Sequence, residues 1–372
     1  MRNTTGKSEP VFHRREKLVR RELLAGAQVP YTAHMSEHVV RTRWGDYVQV
    51  FRLAGVSFES ADDEQLNIWH ERLSVALRNI ASPNLALWTH IVRRRERSYP
   101  AGSFAIAFAD QLNSRYRDRI SGERLMCNDL YLSTVYRSTT GVLTNWTSKI
   151  LSRAHRAAMD LDIQAALESC EKLRLTLLAS LERYDIEPLG LYDRSGMPHS
   201  QVLEFFGVLL NGESQPCPLP RAPLNETLTT SRPVFGVESI EYRMPSSTQL
   251  GAMLGIAEYP ASTVTGMFDS LLSAPFPFVL TQSFTFLSKA SGQGLLARQS
   301  ARMSNAGDLA ISQAALLKDA LDGLAGDEFV MGDHHFSLLV QTDSFSAIRR
   351  ARGDRSTEDT ERPCQRCPSD AH

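Results

Sequence analysis

The sequence predicts an α/β (α+β) fold with two β-α-β-α-β lobes, in which mixed sheets are covered by helices. Two observations support this prediction. Segments with the apolar pattern of strands alternate with segments whose apolar residues lie three or four apart, as in helices. The same order of segments also occurs twice, on either side of a proline-rich stretch. With 372 residues, of which 42% are hydrophobic and 22% charged, the chain can bury sizeable cores.

The first lobe is predicted over residues 30–211, after a basic N-terminal segment at 1–29. A hairpin with its turn at Gly45-Asp46 opens the lobe. Ser60 is expected to cap the next helix, since Asp62, Asp63 and Glu64 would then lie in its first turn and oppose the helix dipole. Further strands are predicted at 85–92 and 125–136, and further helices at 102–120, 154–184 and 200–212.

A linker is predicted at 212–224, where four prolines fall within thirteen residues. The second lobe follows over residues 225–345. Its strands are predicted at 249–258, 276–286 and 336–341, and its helices at 263–272 and 288–324. Because this repeats the order of the first lobe, we expect the two lobes to share a topology.

The last predicted segment, 346–372, is a polar tail. After Ile348 the sequence contains no Val, Ile, Leu, Met, Phe, Trp or Tyr, so it cannot contribute to a core and is expected to be disordered. Cys364 and Cys367 form a C-x-x-C pair in the tail, but only His372 is near them, and a structural zinc site needs four ligands. No metal site is therefore predicted.

The composition excludes several classes of protein. The 41 basic and 42 acidic residues nearly cancel, which gives no indication of a nucleic-acid or acidic partner. No apolar run approaches the roughly 18 residues of a membrane-spanning helix, and the N-terminus lacks the apolar core of a signal peptide. Five cysteines, an odd number, indicate no disulfide framework. We expect a cytoplasmic protein, for which peripheral attachment at a membrane stays open.

Gly6-Lys7-Ser8 matches the end of a phosphate-binding loop, G-x-x-x-x-G-K-[ST]. The first glycine of such a loop would fall at Met1, no strand can precede it, and Pro10 follows where a helix should run. The tripeptide is therefore interpreted as a coincidence, and the motif does not occur again in the chain. No nucleophilic triad or informative pair of acids can be placed, so neither catalytic nor cofactor-binding residues are predicted.

Two clusters are candidates for binding. Arg93, Arg94, Arg95 and Arg97 follow a predicted strand and could hold phosphates or a nucleic-acid strand, although a solvated strand end is the favoured interpretation. Asp333-His334-His335 is the densest set of metal-like ligands. On a strand, however, neighbouring side chains point to opposite faces, so the two histidines would not hold one ion and are expected to be structural or interface residues.

Seven stretches together resemble one known family. They are "VFRLAGVSFESADDEQLN", "HIVRRR", "LEFFGVLLNG", "PLPRAPL", "RPVFGVESIEYR", "GAMLGIAEYPASTVTGMFDSLLSAPFPFVLTQSFTFLSKA" and "EFVMGDHHFSLLVQ". In this order, over about residues 30–345, the chain resembles the N-terminal portion of the VirB/TrbE/CagE ATPases, which energise type IV secretion and conjugation in bacteria.

The resemblance implies a docking and assembly module, cytoplasmic and peripheral at the bacterial inner membrane. Its implied partners are the inner-membrane channel subunits, other copies of the ATPase, and translocated DNA or protein. In the family, ATP and Mg²⁺ are bound by a C-terminal motor domain that this sequence does not reach. The resemblance therefore implies a truncated form with no ATP hydrolysis and no cofactor of its own, and a frameshift near Ile348 would explain the polar tail.

Several alternatives remain at this stage. Phe276, Phe278, His334 and His335 are candidates for a partner interface, as is the basic N-terminal segment. An ATP-binding component like the full-length family, and a nucleic-acid-binding module that uses Arg93 to Arg97, are the two alternative functions.

Overall fold

The computed structural model describes residues 25–57, 61–96, 99–100, 102, 104–123, 125–138, 153–236, 239–244, 247–260, 263, 266–305 and 311–342. Gly6-Lys7-Ser8, Ser60, Arg97 and the predicted tail with its break near Ile348 lie outside these residues. The predictions made for them, and the predicted domain bounds, stay predictions.

The first part of the chain alternates strands and helices. Its elements are β1 (Tyr31–His34), β2 (Val40–Thr42), β3 (Tyr47–Leu53), α1 (Asp63–Ile80), β4 (Leu85–Arg95), α2 (Ala107–Gly122), β5 (Met126–Tyr136) and α3 (Arg153–Ser180). A small connecting region follows, with β6 (Ile186–Pro188), β7 (Leu191–Arg194), β8 (Met197–Ser200), α4 (Gln201–Asn211) and α5 (Leu224–Thr227).

The second part repeats the alternation with shorter or divided helices. It contains β9 (Arg232–Phe235), β10 (Ile240–Arg243), β11 (Thr248–Gly255), α6 (Asp269–Leu272), β12 (Phe278–Phe286), α7 (Lys289–Asn305), α8 (Ile311–Ala325) and β13 (Gly332–Thr342). The helix predicted at 288–324 is thus two helices, and the helix predicted at 263–272 is a single turn.

One antiparallel sheet unites both parts. Ten strands follow the order β1-β2-β3-β5-β4-β12-β13-β11-β10-β9, and β6 pairs with β3 at the side. Read from either edge toward the centre, the order is the same, so β1–β5 and β9–β13 form two halves related by an approximate two-fold axis between β4 and β12. The α+β class and the repeated topology are confirmed.

The prediction of mixed sheets, one in each lobe, needs correction. All pairings in the sheet are antiparallel, and β4 pairs with β12 from Arg93↔Phe278 to Ala86↔Thr285. Within each half, two strands run in the same direction: β3 and β4 in the first half, and β11 and β12 in the second. The order of elements along the chain therefore suggests a mixed sheet. The last strand of each half, β5 or β13, lies between the two strands of that pair and pairs antiparallel with both.

Long helices cover one face of the first half, which we call the α3 face. Phe51, Leu87 and Leu132 pack there against Leu177 and Leu181 at the end of α3, and partly buried side chains of α1 join this cluster. The side chain of Asp62 caps α1 by accepting a hydrogen bond from Gln65 N at 2.8 Å, and α1 begins at the next residue, Asp63. From the sequence, Asp62 is expected two positions after the cap, in the first turn of the helix.

The opposite face, which we call the α4 face, is covered by α4. Phe205 and Phe206 pack against Val48 and Val50 of β3. Val208 and Leu209 of the same helix pack against a second cluster across the centre of the sheet, formed by Val92, Tyr242, Val279 and Leu339. Helix α4 therefore contacts both halves and helps to hold them together.

The predicted linker at 212–224 is packed against the first half. Gly212 ends α4 with φ 79°, a conformation that glycine adopts without steric cost. Further along, Cys217 and Leu219 pack against the cluster on the α4 face. The prolines mark a segment without regular structure, and its apolar residues are nevertheless part of the core.

The two edges of the sheet differ. At one edge, strand β1 is contacted by helix α5. Strand β9 pairs with β10, with Pro233 opposite Tyr242. Among the strands that the structure describes, β9 has no other partner. No helix in the described ranges is long and apolar enough to cross a membrane.

Candidate functional site

The arginine run at the end of β4 does not form one phosphate-binding patch. Arg93 is buried, and its guanidinium donates from Nε to Ala274 O at 2.6 Å and from Nη1 to Leu272 O at 2.5 Å. Nη1 also donates to Asn128 Oδ1 at 2.8 Å. Arg93 therefore fixes the end of α6 to the sheet, and its donors face protein carbonyl groups.

Arg94 points to the other face of the sheet, where two carboxylates neutralise it. Its Nε donates to Asp129 Oδ2 at 2.6 Å and its Nη1 to Glu96 Oε2 at 2.7 Å. The hydrogen bond to Asp129 is the main reason that the pKa of Arg94 is raised. Arg95 is exposed, and Arg97 lies outside the described residues. Two of the four predicted arginines are thus engaged in internal contacts.

The structure contradicts the prediction of Phe278 as an interface residue. Phe278 is 0% exposed in a cluster with Leu280, Phe336 and Leu338. Phe276 is partly buried and packs against the same cluster. The sequence could not show this, because the residues that cover Phe278 come from β13 and from the segment before β12.

His334 and His335 are exposed on β13, which begins at Gly332, four residues before the strand predicted at 336–341. His334 Nδ1 lies 2.9 Å from Tyr259 Oη, and its Nε2 lies 3.3 Å from Gln282 Oε1. Partial burial, and then the neighbouring His335, lower the pKa of His334. No group of three His, Cys, Asp or Glu side chains able to hold a metal is found within the described ranges.

His34 and Ser200 form a pair that resembles a nucleophile with its base. His34 Nε2 lies 2.8 Å from Ser200 Oγ, and His34 Nδ1 lies 3.2 Å from Ser36 O. Ser200, however, is 0% exposed, and its Oγ accepts a hydrogen bond from Leu203 N as the N-cap of α4. Because no substrate atom can reach a hydroxyl that is fully buried, this pair links β1 to α4 and has a structural role.

A small cavity lies on the α3 face at the line where β4 meets β12. Its volume is about 360 Å³, and Ile91, Leu280, Met267 and Phe268 give it mainly apolar walls. Gln282 and Asp269 are its clearest polar contributors. The cavity can accept an apolar side chain or a small apolar group, and it does not bring acid and base groups together.

The most unusual surface is α2, which sequence reasoning predicted as a helix but did not single out. None of its residues is buried. Large apolar side chains on α2 and just before it are mostly exposed: Phe104 at 49%, Ile106 at 68%, Phe108 at 73%, Leu112 at 58% and Tyr116 at 56%. A cluster of exposed apolar side chains of this size, on the described part of the surface, is typical of a site that binds another molecule. The signal in the sequence is the spacing of Phe108, Leu112 and Tyr116.

Helix α2 is attached to the protein on its other side. Tyr99 Oη donates to Asn113 Oδ1 at 2.8 Å, and the Arg117 guanidinium lies 5.3 Å from the centre of the Tyr99 ring. The ends of β4 and β5, next to each other in the sheet, hold both ends of this segment. We refer to residues 93–125 as the helical tip.

Comparisons with known proteins place the chain in a class. Residues 38–142 match the N-terminal domain of the type IV secretion system ATPase VirB4/TrbE. Residues 187–353 match the CagE, TrbE, VirB family, a component of the type IV transporter system. The fold therefore belongs to a component of bacterial type IV secretion.

Individual relatives agree with these matches. "Type IV secretion system protein virB4" of Bartonella quintana (strain Toulouse) is 37% identical over 328 residues, which are 88% of this chain and 42% of the relative. The protein of the same description from Brucella suis biovar 1 is 35% identical, with 86% and 39% covered. "Protein virB4" of Agrobacterium tumefaciens (strain 15955) is 31% identical, with 88% and 41% covered.

The chain belongs to the CagE, TrbE, VirB family and corresponds to the N-terminal part of its VirB4-type members. It spans about two fifths of the length of the curated relatives that it matches. This confirms the resemblance carried by the seven sequence stretches.

Proposed function

We propose that this chain acts as a docking and assembly module of a type IV secretion ATPase, and that its residues do not themselves hydrolyse ATP. The observation that carries the proposal is the open apolar side of α2, which projects from a sheet whose arginines and histidines largely contact other parts of the protein. Family membership supports it, since components of a secretion system work by contact with one another.

The proposed partners are the inner-membrane channel subunits and other copies of the ATPase, with translocated DNA or protein as a further contact. The proposed location is the cytoplasmic face of the bacterial inner membrane, where the chain would be peripheral. Nucleotide and Mg²⁺ would be bound elsewhere in an assembled ATPase. The buried Ser200 and the absence of a metal-ligand cluster among the described residues support a role in contacts over one in chemistry.

Co-purification tests the assembly role. The tagged chain would be expressed together with a complete set of secretion subunits, extracted in mild detergent and captured. We expect the channel subunits to be enriched at least tenfold over a tag-only control. Recovery of these subunits at the level of the control would overturn the proposal.

A second measurement tests the absence of hydrolysis. The purified chain and its Lys7→Ala variant would be compared for release of phosphate from labelled ATP. Since Gly6-Lys7-Ser8 lacks the first glycine of a phosphate-binding loop, we expect neither protein to exceed the buffer control. Hydrolysis that disappears in Lys7→Ala would show that this part of the proposal is wrong.

A further inference from the structure

We propose that the helical tip binds the surface of an anionic phospholipid bilayer. This inference rests on the proposed docking function and deepens it by naming what the tip contacts. The contact would be made by the apolar side of α2, with arginine side chains reaching the phosphate groups of the lipids.

Charge complementarity is the first argument. Residues 93–125 contain eight arginines and four acidic residues, a formal net charge of +4, whereas the whole chain has −1. The rest of the chain is therefore net acidic. Arg93 and Arg94 are engaged by the protein, and the other arginines in the described part of the tip, which are exposed, are Arg95, Arg115, Arg117 and Arg119. Anionic lipid headgroups attract such basic segments, and the binding free energy increases with each arginine that lies near the membrane surface.

The placement of charges on α2 is the second argument. Phe108, Leu112 and Tyr116 are spaced by four residues and lie along one side of the helix. Arg115 and Arg119 follow Leu112 and Tyr116 by three residues and lie on this same side. Their long side chains can extend from an apolar surface to phosphate oxygens at its boundary.

The acidic residues of α2 lie away from this side. Asp110 and Asp118 come two residues after Phe108 and Tyr116, a spacing that places residues on different sides of a helix. Glu123, just beyond α2, is the exception, because its Oε1 lies 3.8 Å from Arg119 Nε in an exposed ion pair. Both carboxylates within α2 are separated from the apolar side. This separation is typical of helices that lie in the plane of a membrane surface.

The shape and chemistry of the tip favour lipid over nucleic acid. A single strand would require arginines free to hold phosphates and aromatic rings on which bases stack. Arg93 and Arg94 are engaged by the protein. Phe104, Phe108 and Tyr116 offer exposed rings, but the aliphatic Ile106 and Leu112 share their surface, which makes it a general apolar surface and not a row of stacking rings. A helix that projects with its apolar side exposed can enter the headgroup region of a bilayer without a matching groove.

Vesicle flotation with the full chain tests the inference. The protein would be mixed with vesicles of pure phosphatidylcholine, or of phosphatidylcholine with about 30 mol% phosphatidylglycerol, and floated at low and at high salt. We expect at least tenfold more bound protein on the anionic vesicles, and loss of most of this difference as salt screens the charges. The flotation samples contain no other secretion subunit, so their result does not depend on the outcome of the co-purification test.

Two variants and a matched control locate the contact. Phe108→Ser/Leu112→Ser should lower binding to anionic vesicles at least tenfold, and Arg115→Gln/Arg119→Gln should lower it at low salt. Leu161→Ser/Leu316→Ser removes two apolar side chains of similar exposure, 71% and 66%, from α3 and α8 and should bind as the unmodified chain does. Because α2 has no buried residue, and because Leu161 and Leu316 are mostly exposed, the folded state should survive all of these changes, which circular dichroism would check.

Three results would overturn the inference. The first is equal binding of the protein to both kinds of vesicle, and the second is unchanged vesicle binding by Phe108→Ser/Leu112→Ser. The third is that this variant still binds vesicles but no longer binds single-stranded DNA or no longer co-purifies with the secretion subunits. The last result would leave α2 as a docking site for another macromolecule. The proposed function would then stand while the lipid contact would not.

Discussion

Two helical segments connect strands at the centre of the sheet, and they differ in how far their apolar sides are buried. Between β12 and β13, α7 and α8 pack against each other, and Leu324 of α8 is only 4% exposed. A methyl group on Gly292 of α7 would lie 3.1 Å from Leu324 Cδ2, so the lack of a side chain allows the close approach. Between β4 and β5, α2 is exposed along its apolar side, and none of its residues is buried.

This difference shows how a duplicated sheet can carry two different surfaces. Backbone pairing determines the order of the strands, and that order is the same in both halves. The inserted helices do not take part in the pairing and are free to diverge. In the second half α7 and α8 pack against each other while Leu295 and Leu316 stay exposed, and in the first half α2 is exposed along its apolar side.

Truncation of one leucine in each insertion gives the largest expected contrast. Leu324→Ala should lower the free energy of unfolding by about 2–5 kcal/mol, because it removes a buried side chain and leaves a cavity. Leu112→Ala, at a side chain 58% exposed, should change it by less than about 0.5 kcal/mol. Urea unfolding followed by circular dichroism measures both. Similar losses would mean that α2 is covered within the chain.

Acidification should weaken the line where the two halves meet. His90 is 3% exposed, its Nδ1 lies 3.0 Å from Thr281 Oγ1 of β12, and burial lowers its pKa from 6.5 to about 4. Between these two values the unfolded chain binds the proton more readily than the folded chain. The stability present above pH 6.5 should therefore fall by about 3 kcal/mol as the pH drops to 4.

The His90→Gln variant separates this effect from other titrations. It should be less stable at neutral pH and should show a flatter dependence of stability on pH between 6.5 and 4. Unfolding in urea at a series of pH values measures this. If the two pH profiles run parallel, His90 is not the group responsible.

Two neighbouring arginines of β4 allow the stability contributed by an internal contact to be compared with that of a surface contact. Arg93→Met should cost about 2–3 kcal/mol, since it leaves buried carbonyl groups at the end of α6 without their donor. Arg94→Met should cost no more than about 1 kcal/mol, because its ion pairs lie at the surface. Hydrogen exchange around residues 266–274 should rise in Arg93→Met alone. An equal rise in Arg94→Met would contradict the assignment.

The smallest expected effect concerns the start of α1. Asp62→Ala removes the side-chain cap of this 18-residue helix and should cost about 1 kcal/mol. The counterpart in the second half, α6, has no side-chain cap, so Phe268→Ala should not act through capping. Thermal unfolding of Asp62→Ala, with Asp62→Asn as a conservative control, measures the effect. A loss in Asp62→Asn as large as that in Asp62→Ala would point to charge and not to the hydrogen bond.

Local pattern predicts the central elements of the fold well. The strand predicted at 125–136 is observed at Met126–Tyr136, and α4 begins after Ser200 and ends before Gly212 as its capping residues indicate. Apolar periodicity is strong in these segments because each has one or two buried faces. Strands β9 and β10 were not predicted, since a proline and several charged residues interrupt their pattern.

The sites depend on contacts that local pattern does not contain. The burial of Arg93 is decided by Leu272 and Ala274, about 180 positions away in the sequence. Phe278 is a core residue because Phe336 and Val340 of β13 and Ala274 and Phe276 from the segment before β12 pack around it. The exposed side of α2 could be predicted as an apolar stripe, but whether another element covers it depends on the tertiary structure.

Pro233 has a consequence for how copies of this protein can associate. A proline nitrogen carries no hydrogen, so a foreign strand laid against the edge formed by β9 would lose a donor in the middle of a four-residue strand. The sheet is thereby discouraged from growing end to end into fibrils in a crowded cell. At this edge, a contact through side chains, which can be specific for one partner, is therefore favoured over a backbone pairing that would accept any extended chain.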